Sequence, residues 1–444
     1  MEELTTVKKE SVRFSRGDET AFPGYAKPVE YMGETRPARW ISRQETGWLM
    51  KKEDVSAFYG NLCQHLKENP PADSLLWPVD VTSKTDAGFG YVMETYPQAF
   101  RPIRDFLDGN EGFTGWPMIV NAALSLTVAF LQLKARGYHY HNLTNDDVLV
   151  HNKTGRVRLA GAEYLSRTGK IKLTECSTLM APKYLLGERE ADSRTDEYLL
   201  AVLLFELFFQ GHPLEGHKTA ENPVMTAAKK RECYGKAPVF IYDKADGSNP
   251  PVKGIHIGPL GMWAQYPAFL QEQFRKAFSK EALSGEKAEK AGETVEEWYS
   301  TLIALRASIA PCSCGRAHFL PSLTGGRGVC PCGNKIEEPA FYWKLEGGKQ
   351  WYPIIPGGVI YQCQLKEKAE MDVSSQAGMM LRGRGADFCQ IQNVMDEPWT
   401  VTGDGEEAET VGNLETVLVK GPMSIDTGVG KIVVEAAANL ENEV

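Results

Sequence analysis

Two pairs of cysteines place the strongest constraint on how this chain folds. Each pair has the form Cys-x-Cys-Gly, and fifteen residues separate Cys314 of the first pair from Cys330 of the second. A glycine after each pair lets the backbone turn so that its amides face the sulfurs, and four thiolates complete a tetrahedral shell around a zinc ion. The segment between the pairs has little apolar content, so it needs a metal ion to hold it together. We therefore predict a closed, structural zinc ribbon over residues 310–337, with Zn²⁺ bound by the sulfurs of Cys312, Cys314, Cys330 and Cys332.

Two other interpretations of these cysteines stay open, in which the thiols form two adjacent disulfides or remain free. His318 is a competing ligand, although four cysteines already fill the shell. The other five of the nine cysteines are scattered singly along the chain. This arrangement does not fit an all-disulfide scaffold and suits a reducing compartment, so we expect a cytoplasmic protein.

Composition and charge exclude several classes of partner. The chain has 444 residues, of which 42% are hydrophobic and 24% are charged, as in a globular protein of two or three domains. A formal net charge of −9 argues against nucleic acid or an anionic membrane as a partner. The N-terminus has no apolar segment of the kind that secretory signals carry. The apolar stretch at 198–209 is too short to span a bilayer and contains Glu206, so we interpret it as a buried core helix.

The order of predicted elements divides the chain into a mixed region and a β-rich region. Up to about residue 96 the sequence predicts short strands and one helix, and beyond Trp116 it predicts mostly helices. From residue 338 to 437 Gly, Val, Thr and Ile dominate, which predicts an all-β module ahead of a frayed tail at 438–444. The predicted helices lie at residues 52–68, 117–137, 196–210, 265–279 and 294–307, and a hairpin joins 148–150 to 157–159.

Four segments resemble motifs of protein kinases. Residues 137–150 are similar to the catalytic loop with its following strand, and residues 154–163 are similar to the metal-binding turn. Residues 180–183 stand where kinases carry Ala-Pro-Glu, and residues 194–196 are similar to the start of the helix whose buried Asp supports the catalytic loop. In this resemblance Asp196 is the supporting acid, and His139 and His141 pack the loop and do not act in catalysis.

Four further segments, at 75–80, 212–216, 240–243 and 248–251, look like signatures of one bacterial branch of that family. Its kinases occur in triads with a von Willebrand A-type protein and a metal-dependent phosphatase, linked to tellurium-resistance-type stress systems.

The resemblance covers about residues 10–310 and implies a kinase-like domain over 1–309, with an N-lobe at about 10–96 and a C-lobe at about 97–309. The expected fold class is α+β: a two-lobed protein-kinase-like fold followed by a zinc ribbon and an all-β sandwich-like domain.

The chain departs from the kinase pattern at the positions that carry the chemistry. Phosphoryl transfer needs a carboxylate base, an Asn and an Asp that hold magnesium, and a Lys on the phosphates. Asn142 stands at the base position, and an amide does not take up a proton at working pH. Asp147 replaces the metal-binding Asn, Gly161 replaces the metal-binding Asp, and Arg39 occupies the lysine position. We therefore expect a pseudokinase without catalytic residues.

The phosphate-covering loop is also altered. Residues 16–24 contain two glycines, two acids and a proline, and the acids would repel a triphosphate. We expect ATP and Mg²⁺ not to bind. The alternative is a set of displaced magnesium ligands, Asp146, Asp147 and Glu163, in an open cleft. A cleft filled by Phe22 or Tyr25 would exclude that alternative.

The C-terminal module at 338–437 resembles a forkhead-associated β-sandwich. Readers of phosphothreonine use an Arg and a Ser to bind the phosphate. Arg382 and Arg384 are candidates for the Arg, but no Ser-x-x-His follows them. Trp399 is expected in the core of this module.

Three functions follow as hypotheses. The first is an inactive scaffold or regulator of a bacterial signalling or stress-response system, with protein partners such as a cognate kinase, phosphatase or von Willebrand-type protein, and with neither nucleic acid nor membrane. The second is an atypical kinase or nucleotide transferase that uses the displaced acids. The third is a phosphopeptide-binding adaptor that works through the β module.

Overall fold

The predicted α+β class is confirmed in the computed structural model, which contains helices and mainly antiparallel sheets. The structure describes residues 3–14, 27–42, 54–86, 88–95, 98–167, 171–173, 176–221, 224–284, 292–326, 328–383, 389–403, 405 and 407–440. The candidate loop 16–24, Tyr25 and Arg384 lie outside these residues.

The chain divides into two units that are each compact. The first comprises Met1–Thr114, Ser125–Leu260 and Phe274–Val295. The second comprises Gly115–Leu124, Gly261–Gln273 and Glu296–Val444. The predicted domain boundaries after residues 309 and 337 stay predictions.

The first unit begins with a six-stranded antiparallel sheet in the order β1-β2-β3-β4-β6-β5. Val12, Val29, Ala38 and Val92 form its buried core together with Tyr31. The strands are β1 Glu3–Thr5, β2 Ser11–Phe14, β3 Lys27–Tyr31, β4 Glu34–Ser42, β5 Pro78–Val81 and β6 Gly88–Met93, and helix α1 spans Val55–His65.

The turn between β3 and β4 sets the pairing register of these two strands. Met32 and Gly33 both have positive φ, 51° and 80°, as a two-residue hairpin turn of the type that matches strand twist requires. Helix α1 is shorter than the predicted 52–68, since it ends at His65.

The middle of the chain is mostly helical, with short strands around the predicted hairpin. Val148–His151 and Val157–Leu159 pair antiparallel, which confirms that hairpin. The elements are β7 Phe100–Pro102, α2 Ile103–Leu107, α3 Trp116–Ala135, β8 His139–Tyr140, β9 Val148–His151, β10 Val157–Leu159, β11 Leu165–Ser166, α4 Pro182–Leu185, α5 Ser193–Phe209, α6 His217–Ala220, α7 Ala227–Lys230, α8 Ile257–Met262, α9 Ala268–Ala277, α10 Lys280–Ser284 and α11 Val295–Ala307.

Helix α5 is buried along almost its whole length, as predicted for the apolar stretch 198–209. Its N-terminus is closed by a capping box, in which the Asp192 side chain accepts hydrogen bonds from the backbone of Arg194 and Thr195. The Thr195 hydroxyl accepts in return from the backbone N–H of Asp192 at 2.9 Å. The helix therefore starts earlier than the predicted residue 196.

Helix α3 is long enough and apolar enough to cross a membrane by length and composition, with a mean hydropathy of 1.5. About two thirds of this window is buried inside the structure, 67%, which is typical of a core helix in a soluble protein.

The second unit contains the cysteine pairs and the predicted all-β module. Its larger sheet has the strand order β15-β14-β23-β22-β19-β20 and its smaller sheet has the order β16-β17-β18-β21. The elements are β12 Ile309–Pro311, β13 Ala317–Phe319, α12 Pro321–Thr324, β14 Phe341–Leu345, β15 Tyr352–Pro353, β16 Val359–Tyr361, β17 Gln376–Arg382, β18 Cys389–Asn393, β19 Trp399–Gly403, β20 Glu409–Val411, β21 Thr416–Val419, β22 Met423–Asp426 and β23 Lys431–Ala436.

The two sheets of the module meet at Trp399, which is fully buried at 0% exposure. A Cβ atom built on Gly378 of β17 would lie 2.8 Å from Cη2 of this ring and 3.3 Å from Cγ2 of Ile391. The packed region also extends past its predicted end, because Leu440 is buried with Tyr342 and Trp351. The prediction of a frayed tail from residue 438 was therefore wrong for Leu440.

We expect Gly378→Ala to lower the free energy of unfolding by about 1–3 kcal/mol, because the added methyl group must push the indole of Trp399 away. Urea denaturation measures the change. Gly421→Ala is the matched control, since no heavy atom lies within 4 Å of a Cβ at that position. Equal effects of the two substitutions would contradict the contact.

Candidate functional site

The segment 138–147, which carries most of the candidate residues, is fastened to helix α5 by a buried acid. Asp196 Oδ1 accepts a hydrogen bond from the backbone N–H of Tyr140 at 3.1 Å, and Oδ2 lies 2.7 Å from His139 Nδ1. Burial raises the pKa of Asp196 to about 6, while the hydrogen bond to Asp196 raises the pKa of His139. The backbone hydrogen bond expected of Asp196 is therefore present, and His139 serves the same anchor.

A second acid of α5, Glu206, holds the other end of the segment. Its Oε1 accepts from Asn145 Nδ2 at 3.3 Å. Glu206 Oε2 and Asn145 Oδ1 are both buried without a hydrogen-bond partner among the described residues. Burial raises the pKa of Glu206 to about 8. Protonation of this carboxyl group turns one of its oxygens into a hydrogen-bond donor beside buried acceptors that have no donor. The neutral, protonated form of Glu206 therefore suits this buried position.

His141 contacts β11, and Asn142 contacts the segment that follows it. His141 Nε2 lies 2.8 Å from Ser166 Oγ, and burial lowers the pKa of His141 to about 4. The backbone N–H of Ser177 donates to Asn142 Oδ1 at 2.8 Å. The amide at the expected base position therefore fixes a neighbouring backbone segment.

Arg39 of β4 lies next to Glu163, whose side chain is buried at 2% exposure. Arg39 Nη1 is 3.7 Å from Glu163 Oε1 and 3.1 Å from the hydroxyl of Tyr164. The Tyr91 hydroxyl donates to the same Oε1 at 2.6 Å. Burial raises the pKa of Glu163, and the Arg39 guanidinium opposes that rise. The candidate phosphate-binding cation is thus paired with an acid of its own chain.

The two adjacent acids, Asp146 and Asp147, have different partners. Asp147 Oδ2 accepts from the backbone N–H of Thr144 at 2.9 Å and from its hydroxyl at 2.7 Å. Burial raises the pKa of Asp147. Asp146 makes a bidentate pair with Arg104, at 2.7 and 3.0 Å. Asp146 therefore binds an arginine at the surface, whereas Asp147 caps the turn of its own loop.

Gly161 has a φ of 73°, in the left-handed region that favours glycine. A Cβ at this position would be 3.4 Å from Asp147 Cγ. Replacing the glycine with an aspartate would therefore introduce both backbone strain and a like charge beside Asp147. Sequence reasoning singled out Gly161 but did not predict its close fit to Asp147.

Tyr91, Tyr164 and Arg104 are the functional neighbours that sequence reasoning missed. Each contacts its acid or base across a long stretch of chain, so no local spacing signals the pair. The only sequence signal for any of these contacts was Tyr91, a polar-tipped residue in the strand Gly88–Met93. Every residue of this strand is buried.

The four cysteines form the only group of three or more metal-ligating side chains that the described part of the chain brings together around one point. Their sulfurs all lie within 4.8 Å of one another. The Sγ atoms of Cys312 and Cys332 are 3.6 Å apart, as are those of Cys314 and Cys330. Metal–sulfur bonds of about 2.3 Å in a tetrahedron place sulfurs about 3.8 Å apart, whereas a disulfide needs about 2.05 Å. The geometry fits a thiolate metal site.

Both cysteine pairs have the same backbone structure. Gly315 N–H donates to the carbonyl of Cys312 at 2.9 Å, and Gly333 N–H donates to the carbonyl of Cys330 at 2.8 Å. The two glycines have φ values of 87° and 92°. The backbone N–H of Cys314 lowers the pKa of the Cys312 thiol, whereas the pKa of the Cys330 thiol is raised, so these shifts do not favour four thiolates and the sulfur geometry carries the assignment. His318 is not in the group.

The remaining candidate, Arg382, is exposed at the end of β17. It lines an open cleft with Lys335, Val329 and Ile355. The positively charged side chain of Arg382 is therefore accessible at the surface of the β module.

No family model matches the chain, and no curated protein matches it.

We expect Glu206→Gln to change how stability depends on pH. The pKa of Glu206 is about 8 in the folded chain and near 4.5 in the unfolded chain, so the wild type loses stability as pH rises from about 5 to 8. Glutamine does not titrate, so the variant should gain stability relative to the wild type across this window, on the order of a few kcal/mol. Urea denaturation between pH 5 and 9 measures the difference.

Glu232→Gln is the control, because Glu232 is exposed. Its stability relative to the wild type should stay constant over the same range. A pH-independent difference for Glu206→Gln would show that Glu206 is ionised in the folded chain.

Proposed function

We propose that this chain is a catalytically inactive, protein-kinase-like scaffold whose metal-tied ribbon and β module help to present surfaces to partner proteins. The observation that carries the proposal is the Arg39–Glu163 pair. Arg39 stands where the resemblance puts the phosphate-binding lysine, yet its guanidinium is 3.7 Å from a buried carboxylate. A working kinase also pairs its lysine with a glutamate, but that glutamate lies on a helix of the N-lobe. Here the acid is Glu163, two residues after Gly161 at the expected metal-binding turn, so a phosphate at this cation would meet a carboxylate that repels it.

The other groups that phosphoryl transfer requires are also committed elsewhere. The base position holds Asn142, whose side-chain oxygen is bonded to Ser177 N–H. Asp146 forms an ion pair with Arg104, and Asp147 accepts hydrogen bonds from Thr144. A protein with this arrangement keeps a rigid loop but lacks a general base and a magnesium cradle. That combination suits a role in binding proteins.

The partners we propose are a cognate kinase, a phosphatase or a von Willebrand-type protein of the same bacterial system, as the kinase resemblance implies. The acidic chain, with a net charge of −9, argues against nucleic acid. A reducing, cytoplasmic compartment fits nine cysteines of which none is disulfide-bonded in the described residues.

One observation favours a second candidate, a nucleotide transferase with displaced metal ligands. Glu163 Oε2 is buried without a hydrogen-bond partner among the described residues. The charge of Asp147 contributes to the raised pKa of Glu163, so the two carboxylates lie close enough to interact. A magnesium or manganese ion between them would satisfy the unpartnered oxygen.

Thermal unfolding of the purified chain with ATP separates the two candidates. We expect the same midpoint with and without millimolar ATP, in magnesium, in manganese and in chelator, because Glu163 already neutralises Arg39. A ligand that binds the folded chain raises the midpoint by mass action. A rise that requires both ATP and a divalent ion, and that Glu163→Gln abolishes, would contradict the scaffold and support the transferase.

The metal at the four cysteines is proposed to be zinc. Four thiolates in a tetrahedron are a closed shell, which leaves no position for water or substrate, so the ion is structural. When bound, it ties the two Cys-x-Cys-Gly turns together. The apolar residues Ala310, Leu320 and Ile355, with Leu323 and Ile336 against them, pack the ribbon onto the β module.

We expect the purified protein to contain one zinc ion per chain by elemental analysis, and Cys330→Ser to lose it. Limited proteolysis should then cut the variant within 312–335, because the thiolate shell is incomplete. Cys63→Ser is the matched control and should keep its zinc, since Cys63 is not in the group. A wild-type chain that holds no metal and resists proteolysis equally with and without chelator would contradict the zinc centre.

A further inference from the structure

The four sulfurs are arranged in two pairs that each join one cysteine turn to the other. We call the segments Cys312–Gly315 and Cys330–Gly333 the first and second knuckle. The short Sγ–Sγ distances, both 3.6 Å, connect Cys312 to Cys332 and Cys314 to Cys330. Each distance therefore crosses from one knuckle to the other. Closing either pair to about 2.05 Å requires an approach of only about 1.5 Å.

Solvent reaches one member of each pair. Cys314 and Cys332 are exposed, Cys312 is half-buried and Cys330 is buried. An oxidant in solution can therefore attack Cys332 in the first pair and Cys314 in the second. The sulfur waiting at 3.6 Å is in both cases the less exposed partner. An exposed sulfur with a nearby resolving cysteine is the arrangement that reversible thiol oxidation requires.

We propose that the four-cysteine centre is a site of reversible oxidation by hydroperoxides, which closes the cross-knuckle disulfides Cys312–Cys332 and Cys314–Cys330 and releases the metal. This inference rests on the zinc centre proposed above and is independent of the scaffold role.

The chemistry balances with the hydroperoxide as the two-electron oxidant. An exposed thiolate attacks one peroxide oxygen, the O–O bond breaks, and the leaving hydroxide takes up a proton to become water. The sulfur is then a sulfenic acid. The partner thiolate attacks that sulfur, an S–S bond forms, and the departing hydroxide takes a second proton to become a second water.

Two such cycles oxidise all four thiolates. For the whole site, one zinc tetrathiolate, two hydrogen peroxide molecules and four protons give one free Zn²⁺ ion, two disulfides and four waters. A disulfide sulfur is a poor ligand for zinc, so the ion leaves. Because both disulfides join the two knuckles, the oxidised ribbon keeps its cross-links. Reduction by a dithiol in the presence of zinc restores the starting state.

The second knuckle gives this oxidation a structural consequence. The residues that flank it, Gly328, Val329, Lys335 and Ile336, line the open cleft that also contains Arg382. Val329 is 55% exposed on that cleft. Drawing Cys330 and Cys332 towards the first knuckle moves the residues on either side of them, so oxidation changes the shape of this surface.

The test uses the full-length, zinc-loaded protein, with its zinc content measured before any oxidant is added. Hydrogen peroxide is then titrated while a chromogenic zinc chelator reports release, and the alkylated product is digested and its disulfides are mapped by mass spectrometry. We expect zinc release to be complete at two peroxide molecules per zinc. The mapped pairs should be Cys312–Cys332 and Cys314–Cys330. A dithiol with added zinc should return the zinc content to its starting value.

A variant carrying Cys63→Ser and Cys176→Ser is the control, because it removes two half-exposed thiols outside the group. It should release zinc with the same stoichiometry. Disulfides within a knuckle, sulfonic acids as the main product, or zinc retained at a tenfold excess of peroxide would each overturn the oxidation proposal. Absence of zinc in the starting protein would instead overturn the zinc centre, so the two failures are distinguishable.

Discussion

Two acids on one buried helix hold the segment on which the candidate site of the first unit depends. Asp196 and Glu206 lie on α5, and they fix the ends of the segment 138–147 through Tyr140, His139 and Asn145. Carboxyl groups are costly to bury, and each one here accepts a hydrogen bond from the loop it supports. The loop and the helix therefore stabilise each other through these hydrogen bonds.

The charges near the loop are balanced in a similar way. Arg39 neutralises Glu163, Arg104 neutralises Asp146, and Asp147 takes both of its hydrogen bonds from Thr144. Groups of the chain itself therefore supply the opposite charges in this region. Among the described residues, Glu163 Oε2 remains buried without a hydrogen-bond partner, as does Glu206 Oε2.

Local patterns predicted the elements well where one signal dominated. The helix predicted at 117–137 corresponds to α3, and the hairpin predicted between 148–150 and 157–159 corresponds to β9 and β10. The predicted ends of helices were less accurate where a capping residue sets the first turn. The capping box at Asp192, for example, starts α5 before the predicted residue 196. The burial of Leu440 also escaped prediction, because a single apolar residue in an acidic tail has no periodic pattern.

The candidate site was less predictable than the fold. Cysteine spacing was enough to bring the four sulfurs together, since the ligands and their turns are local in sequence. The partners of Arg39 and Asp146 come from distant strands and helices, and only the folded chain brings them together. Motif comparison singled out candidate residues but did not identify what their side chains contact.

The close approach of Gly378 and Trp399 has a consequence for how this β module varies between related chains. Because the indole occupies the space that a side chain at 378 would need, the two positions change acceptably only together. A homologous chain with a larger residue at the first position should carry a smaller one at the second. Covariation between positions 378 and 399 would therefore help to align the sequences of distantly related β modules, even where their loops differ.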